Sequence, residues 1–284
     1  MERIVTITKR RDRAEYSFAN INLLGKCNAK CYFCLGEDIH DLLTVHNNIK
    51  THFNEWKNFD KFVESCRKNN IKKIYLTGQN TDSLMYKYAR ELFTYLISES
   101  FTVGLRTNGY LAHKNIDLMN MCENSVGLSI HSMDPETNYK IMKRRDFPDW
   151  DTLIPQINNP RVAIVINRYN INEFFDILKY LSKFKNIKYV QARRISTDTR
   201  YEMFKPDLAI YEDLYDKVNK EWADSYLGDF YHAQQYNMYG LQVNFWRTVQ
   251  TSVNSINYFT DGTLSDNYFV IEGYKENYTK MVLQ

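Results

Sequence analysis

Glycine and proline are scarce, with Gly 10 and Pro 5 in 284 residues. Both fall below ordinary usage, which excludes collagen-like and linker-rich chains. No stretch approaches the ~18 uncharged apolar residues of a membrane span. Lys9-Arg10-Arg11 near the start has no apolar segment behind it, so no secretory signal is read there and a cytoplasmic protein with no membrane partner is expected. The five cysteines are an odd number, and Cys27, Cys31 and Cys34 crowd into one short segment. That is poor disulfide arithmetic; in a reducing compartment it points to metal ligation or redox chemistry. An excess of one charge is also missing, since Lys+Arg 37 against Asp+Glu 34 leaves +3. This balance leaves a nucleic-acid partner possible but does not indicate one.

Aromatic residues are plentiful, with Tyr 22 and Phe 16. The 44% hydrophobic and 25% charged fractions describe an ordinary globular chain. Strand-like and helical segments alternate through the first two thirds. The strands are expected at Phe18–Leu24, Ile71–Thr77, Phe101–Arg106, Val126–His131, Val162–Asn167 and Ile187–Arg193. Helices are expected over Asn54–Lys68, Leu84–Ile97, a segment opening at Asp134-Pro135-Glu136, and Asn172–Phe184. Six βα units predict an α/β fold with a parallel sheet, either open or curled. Residues 1–15 read as a lead-in, 16–200 as the βα unit and 201–284 as a smaller C-terminal part. That part holds a helix near Leu208–Ser225, strands at Ser255–Phe259 and Tyr268–Ile271, and a hairpin signal at Asp261-Gly262.

Alternation assigns each strand two faces. Ala19, Ile21, Leu23, Ile74, Leu76, Val103, Leu105, Leu128, Val162 and Ile164 mark the helix-facing side. The opposite side carries Asn20, Asn22, Tyr75, Thr77, Gly104, Arg106, Gly127, Ser129, His131, Asn167, Gln191 and Arg193. Closed eight-stranded barrels fill their interior mainly with Val, Ile and Leu. A polar interior therefore predicts polar ligands inside, or else an open sheet with one wetted face.

The three cysteines are spaced Cx3Cx2C directly after the first strand. Three thiolates on one loop, with no fourth nearby, suit an iron–sulfur cluster that keeps one iron open. The alternative is a zinc site completed by His40 or His46, although structural zinc sites are usually closed and built from paired cysteines. The motif resembles that of the radical S-adenosylmethionine (radical SAM) superfamily. So do Phe33 before the last cysteine, Leu105-Arg106-Thr107-Asn108-Gly109 at the third strand end, and Ser129-Ile130-His131 at the fourth.

This resemblance implies a partial (β/α)6 TIM-like barrel, with a small C-terminal helix and hairpin capping its mouth. It implies an enzyme with a [4Fe–4S] cluster on Cys27, Cys31 and Cys34. S-adenosyl-L-methionine would be cleaved reductively to a 5′-deoxyadenosyl radical, which is oxygen-sensitive chemistry fed by an electron donor such as flavodoxin or ferredoxin. Phe33 would lie against adenine, while Ser129 and Asn167 would bind ribose or carboxylate. Arg106 or Arg193 would pair with the methionine carboxylate. The family's Gly-Gly-Glu-like stretch is altered to Gly78-Gln79-Asn80-Thr81-Asp82, so the acid is replaced by an amide or displaced to Asp82.

Arginines at or beyond strand ends three to six, among them Arg168 and Arg194, predict an anionic substrate: a nucleotide, phosphorylated or carboxylated molecule. His131 is placed beside it. The segment Val165–Asn170 also resembles nucleotide-dehydrating viperin-like members. A peptide-modifying maturase and a glycyl-radical-enzyme activase are the enzyme alternatives, and an iron–sulfur or zinc binding module the non-enzymatic one. With no second cysteine group, an auxiliary cluster is not expected. With only a short segment before the barrel, neither a cobalamin-binding domain nor a leader-peptide-binding extension is expected.

Overall fold

The computed structural model describes residues 18–39, 46–196, 200–230, 233–247 and 255–265. Among these residues eleven strands form one sheet in the order β11-β10-β1-β2-β3-β4-β5-β6-β9-β8-β7. Its centre is six parallel strands: β1 (Phe18–Leu24), β2 (Lys73–Gln79), β3 (Thr102–Thr107), β4 (Val126–Ser129), β5 (Pro160–Val165) and β6 (Val190–Arg193). The connecting helices are α1 (Phe59–Lys68), α2 (Ala89–Ser98), the short α3 (Ile116–Met119), α4 (Pro135–Met142), the short α5 (Trp150–Leu153) and α6 (Phe174–Leu181). After β6 comes the long α7 (Tyr201–Glu221). Six βα units in sequential order are the expected (β/α)6 partial barrel.

Register explains the two faces. Ala19 lies beside Ile74 and Ile74 beside Val103; Ile21 lies beside Leu76 and Leu76 beside Leu105. These apolar rows are buried against Phe62, Phe93, Phe174 and their neighbours in one continuous core. At 25 cal/mol per Å² of apolar surface, each such side chain contributes roughly 1.5–3 kcal/mol. At the start of α4, Asp134 caps as its sequence suggests, accepting from the Thr137 amide at 2.8 Å, with Pro135 in the first turn.

The inner face differs from the expectation in its lower half. There the lumen is filled by the protein itself rather than by a ligand. A Cβ at Gly104 would come within 2.6 Å of the Tyr75 ring, and one at Gly127 within 2.9 Å of the Arg161 guanidinium. Arg161, 4% exposed, donates to Ser125 Oγ at 3.2 Å and Gln191 Oε1 at 2.6 Å. Asn20 donates to Asn257 at 2.8 Å, and Gln79 to Asn22 at 3.1 Å. Hydrogen bonding offsets the desolvation of these polar groups, and a cavity lies toward the C-terminal strand ends.

The C-terminal part adds strands to both edges of the sheet, and the expected cap includes residues beyond 265 that lie outside the described ones. β10 (Ser255–Phe259) pairs parallel with β1 and so lengthens the sheet. Tyr258 is fully buried on the helix side against Phe59 and Phe62, its hydroxyl donating to Lys57 O at 2.9 Å. β11 (Leu264–Ser265) folds back antiparallel on β10 after the Asp261-Gly262 turn, where Gly262 has φ +99°. At the other edge β7 (Tyr226–Phe230), β8 (Ala233–Met238) and β9 (Leu241–Trp246) form an antiparallel meander, and β9 pairs parallel with β6. Lys9-Arg10-Arg11, His40 and Tyr268–Ile271 lie outside the described residues.

Candidate active site

Cys27, Cys31 and Cys34 line one cavity of about 240 Å³ at the C-terminal ends of the parallel strands. The same cavity is lined by Phe33, Gly78, Gln79, Asp82, Arg106, Asn108, Ser129, His131, Arg193, Arg194 and Ser196. Residues far apart in sequence meet here because parallel strands all end on one side of the sheet.

The cysteine loop is docked, not dangling. Its backbone pairs with the end of α4, the Lys30 amide donating to Met142 O at 2.9 Å and the Tyr32 amide to Ile141 O at 3.0 Å. Arg144 donates to Asn28 O at 3.0 Å. From the start of α7, Arg200 donates to Tyr32 O at 2.8 Å and Cys34 O at 2.6 Å. The loop after β2 braces the opposite side, with Thr81 Oγ1 donating to Lys26 O at 3.0 Å. Gly78 permits that turn, since a Cβ there would lie 2.1 Å from Thr81 O.

Burial and crowding hold the thiols protonated in the absence of a cation. The Cys27 thiol is pushed up to about 12, chiefly by burial, with Asp82 and Cys34 adding repulsion. Cys31 and Cys34 are raised for the same leading reason. Such a triad suits a polycationic iron–sulfur core that compensates three thiolates at once. It suits a single zinc ion less well. Among the described residues, no three His, Cys, Asp or Glu side chains converge on one point as tetrahedral zinc requires. His46 lies 3.9 Å from Asp261 instead.

Around the triad, Phe33 meets His131 edge-on, with ring centroids 5.1 Å apart. His131 accepts the Val165 amide on Nδ1 at 3.2 Å, which leaves Nε2 as the protonated nitrogen. Burial first and Arg193 second lower its pKa from 6.5 to about 3. The ring is therefore neutral over the physiological range. Between those two values the unfolded chain binds a proton that the folded chain does not. The His131 contribution to stability is thus complete above about pH 6.5 and is lost as pH falls toward 3. The denaturation midpoint of the wild-type protein should fall more steeply from pH 7 to 4 than that of His131→Gln; parallel profiles would refute a buried neutral imidazole.

Two expected site residues are placed elsewhere. Asn167 is fully buried but does not line the cavity. Its amide donates to Val165 O at 2.8 Å and accepts the Tyr169 N–H at 2.9 Å, forming a local turn beyond β5. Arg168 also lies off the cavity, bonded to Asp207 through Nε and NH2, the latter at 2.6 Å. Arg194 stays at the cavity, although one nitrogen is engaged with Glu212 at 2.9 Å. Lys143-Arg144-Arg145 is largely ion-paired: Arg144 with Asp146, and Arg145 with Glu136 at 2.7 Å. The basic rim is therefore narrower than the arginine count suggests.

Asn108, Arg200 and Asp207 were missed as site-building residues. Asn108 had a signal, since it lies one residue beyond β3 in the resemblance. Arg200 and Asp207 had none, because their partners are distant in sequence. Asp82 is present but engaged. It accepts from Thr107 Oγ1 at 2.9 Å, the Asn108 amide at 2.7 Å and the Leu84 amide at 3.0 Å. Gln79 spends its NH2 group on Asn22.

The radical SAM superfamily profile matches residues 21–191, more than half of the chain. The protein belongs to this superfamily and is an enzyme. No curated protein matches it in sequence. Among solved structures, SuiB of Streptococcus suis bound to S-adenosylmethionine is similar with a TM-score of 0.62 at 13% identity, covering 92% of this chain and 60% of that one. A second SuiB structure gives 0.59 at 13% identity, with 91% and 62% covered. Coproporphyrinogen III oxidase of Escherichia coli gives 0.48 at 10% identity, with 86% and 63% covered. The likeness to SuiB is one of fold, and this chain spans about 60% of its length. No helix among the described residues is long and apolar enough to cross a membrane.

Proposed function

We propose that the chain carries a [4Fe–4S] cluster on Cys27, Cys31 and Cys34 and cleaves S-adenosylmethionine beside it to act on an anionic substrate. The observation that carries this reading is the convergence of all three cysteines with Phe33, Arg106, Ser129, His131 and Arg193 on one cavity. When bound, the cluster supplies one electron to the sulfonium, giving methionine and a 5′-deoxyadenosyl radical that abstracts hydrogen from the substrate.

The protein's own residues supply binding and exclusion of water. Arg106 or Arg193 pairs with the methionine carboxylate, and Phe33 presents an aromatic surface to adenine. Gln79 stands where the family places an acid and can offer its carbonyl to the ammonium without charge assistance. Ser129 supplies a hydroxyl to ribose or carboxylate. His131, neutral, donates from Nε2 without adding charge. Substrate is assigned to the β6 side of the cavity. There Arg194 Nε and Ser196 Oγ are buried without a hydrogen-bond partner among the described residues. Buried unsatisfied donors are costly, and an anionic or polar substrate group would satisfy them.

The test is anaerobic reconstitution, reduction and assay for 5′-deoxyadenosine. Slow release without substrate is expected, with faster release and deuterium transfer once a substrate from cell extract is present. Arg194→Glu should raise the apparent KM for that substrate while uncoupled cleavage continues. Absence of 5′-deoxyadenosine from iron-loaded, reduced protein would reject the function. An unchanged KM would reject the anionic substrate.

A further inference from the structure

Asp82 is 4% exposed, and no salt bridge reaches it among the described residues. An unpaired carboxylate in such a place costs several kcal/mol unless hydrogen bonds compensate it, and burial raises its pKa. The compensating donors are Leu84 N–H, the Thr107 hydroxyl and Asn108 N–H, at 2.7–3.0 Å. Capping the turn at Leu84 needs one carboxylate oxygen. The other oxygen bridges Thr107 and Asn108, which tie the β3 exit to the β2 exit.

The consequence appears at Asn108. Its backbone is held by Asp82, and its side-chain carbonyl accepts the Tyr110 amide at 3.2 Å. Its NH2 group is thereby aimed at the cysteine loop, donating to Asn28 Oδ1 at 2.7 Å and to Cys27 Sγ at 3.7 Å. Backbone amides of Asn28 and Ala29 also serve Cys27, and those of Gly36 and Asn80 serve Cys34. Backbone donors come with the loop, whereas a side-chain donor depends on the residue chosen. Here it is locked at both ends.

Resting on the cluster assignment above, we propose that Asn108 tunes the cluster: its side-chain N–H donates to the Cys27 sulfur and raises the potential at which the cluster accepts an electron, and Asp82 holds it there. Hydrogen bonds to cluster sulfurs are among the determinants of potential. The donor's positive end favours the reduced form, which carries one more negative charge. The step is a one-electron transfer from a low-potential reductant into the cluster, with no bond made or broken in the protein.

The experiment is a redox titration of the full chain, reconstituted anaerobically, reduced with dithionite and followed by electron paramagnetic resonance without S-adenosylmethionine. Asn108→Leu should keep wild-type iron and sulfide content yet require a potential lower by about 59 mV, a tenfold smaller reduced fraction at fixed potential. A wild-type potential in fully loaded Asn108→Leu would overturn the inference. Asn108→Ala removes the donor without adding charge or bulk. If Asn108→Leu fails to load, a lowered potential in Asn108→Ala supports the inference and an unchanged one overturns it. Failure of both variants to load also overturns it, because a tuning residue is dispensable for assembly. Wild-type protein that loads no iron–sulfur cluster would instead reject the function itself and the tuning role with it.

Discussion

Cys27→Ala, Cys31→Ala and Cys34→Ala are each expected to abolish the reducible iron–sulfur signal of anaerobically reconstituted protein, whereas Cys66→Ala and Cys122→Ala retain it. Wild-type protein should bind about four irons and four sulfides. The expected effect is close to all-or-none because the three thiols share one cavity with no fourth cysteine near it. Removing one leaves two thiolates, too few for a stable cubane. Cys66 and Cys122 serve packing: both are buried in the apolar core, Cys66 on the inward face of α1. Their replacement by alanine removes one sulfur atom and leaves a small cavity, a stability cost of about 1 kcal/mol. Metal analysis with electron paramagnetic resonance before and after reduction distinguishes the outcomes. Stoichiometric zinc without a reducible iron signal would reject the cluster, and so would a full signal in any of the first three variants.

Asp207→Ala should produce the second large effect, on stability and on cluster retention together. Asp207 sits on α7 with a fully buried side chain, and Arg168 opposite it is 37% exposed. It accepts from the Arg168 amide at 2.7 Å, from the Arg168 guanidinium and from the Tyr32 hydroxyl at 3.2 Å. Tyr32 lies between Cys31 and Cys34 in the chain, and its ring packs on Tyr169 and Phe204. One carboxylate thus joins α7, the turn after β5 and the cysteine loop. Breaking a buried pair costs ~3–5 kcal/mol; solvent screening of the half-exposed arginine puts the expected loss nearer about 2–3 kcal/mol. A lower denaturant midpoint at unchanged m, with faster iron release, is the expected result. Wild-type midpoint and iron retention would show that the cysteine loop does not depend on this junction.

Local pattern was enough for much of the fold. β1 and β10 occupy the residues their alternation predicts, Phe18–Leu24 and Ser255–Phe259. Other boundaries moved because neighbours set them. β5 begins at Pro160, which pairs with Val126, although a proline is an unpromising strand residue except at a strand's first position. The helix expected from Asn54 begins only at Phe59, because Asn58 turns to φ 59° and leaves a separate 3-10 turn at Phe53–Glu55. The site was legible in the same uneven way. Cx3Cx2C carries its own chemistry within eight residues, so Cys27, Cys31, Cys34 and Phe33 could be read directly. Asn167 and Arg168 could not, since whether a strand-end polar group faces a cavity depends on which partner reaches it first.

By itself, the amino-acid sequence determined the βα alternation, the helix-facing apolar stripes, the cysteine triad and the superfamily. Each is encoded in neighbours or in a short period, where side-chain chemistry and backbone geometry act over a few residues. Tertiary structure alone decided that β10 lies beside β1, that Tyr75 and Arg161 fill the lower lumen, that Arg168 is neutralised by Asp207, and that Asp82 aims Asn108 at Cys27. The polar contacts among these share one physical reason. A buried polar or charged group takes the best partner that packing brings within about 3 Å. These partners come from other strands and helices, 26 residues away for Asp82 and Asn108 and 39 for Arg168 and Asp207, at separations where no periodicity in the chain records the pairing.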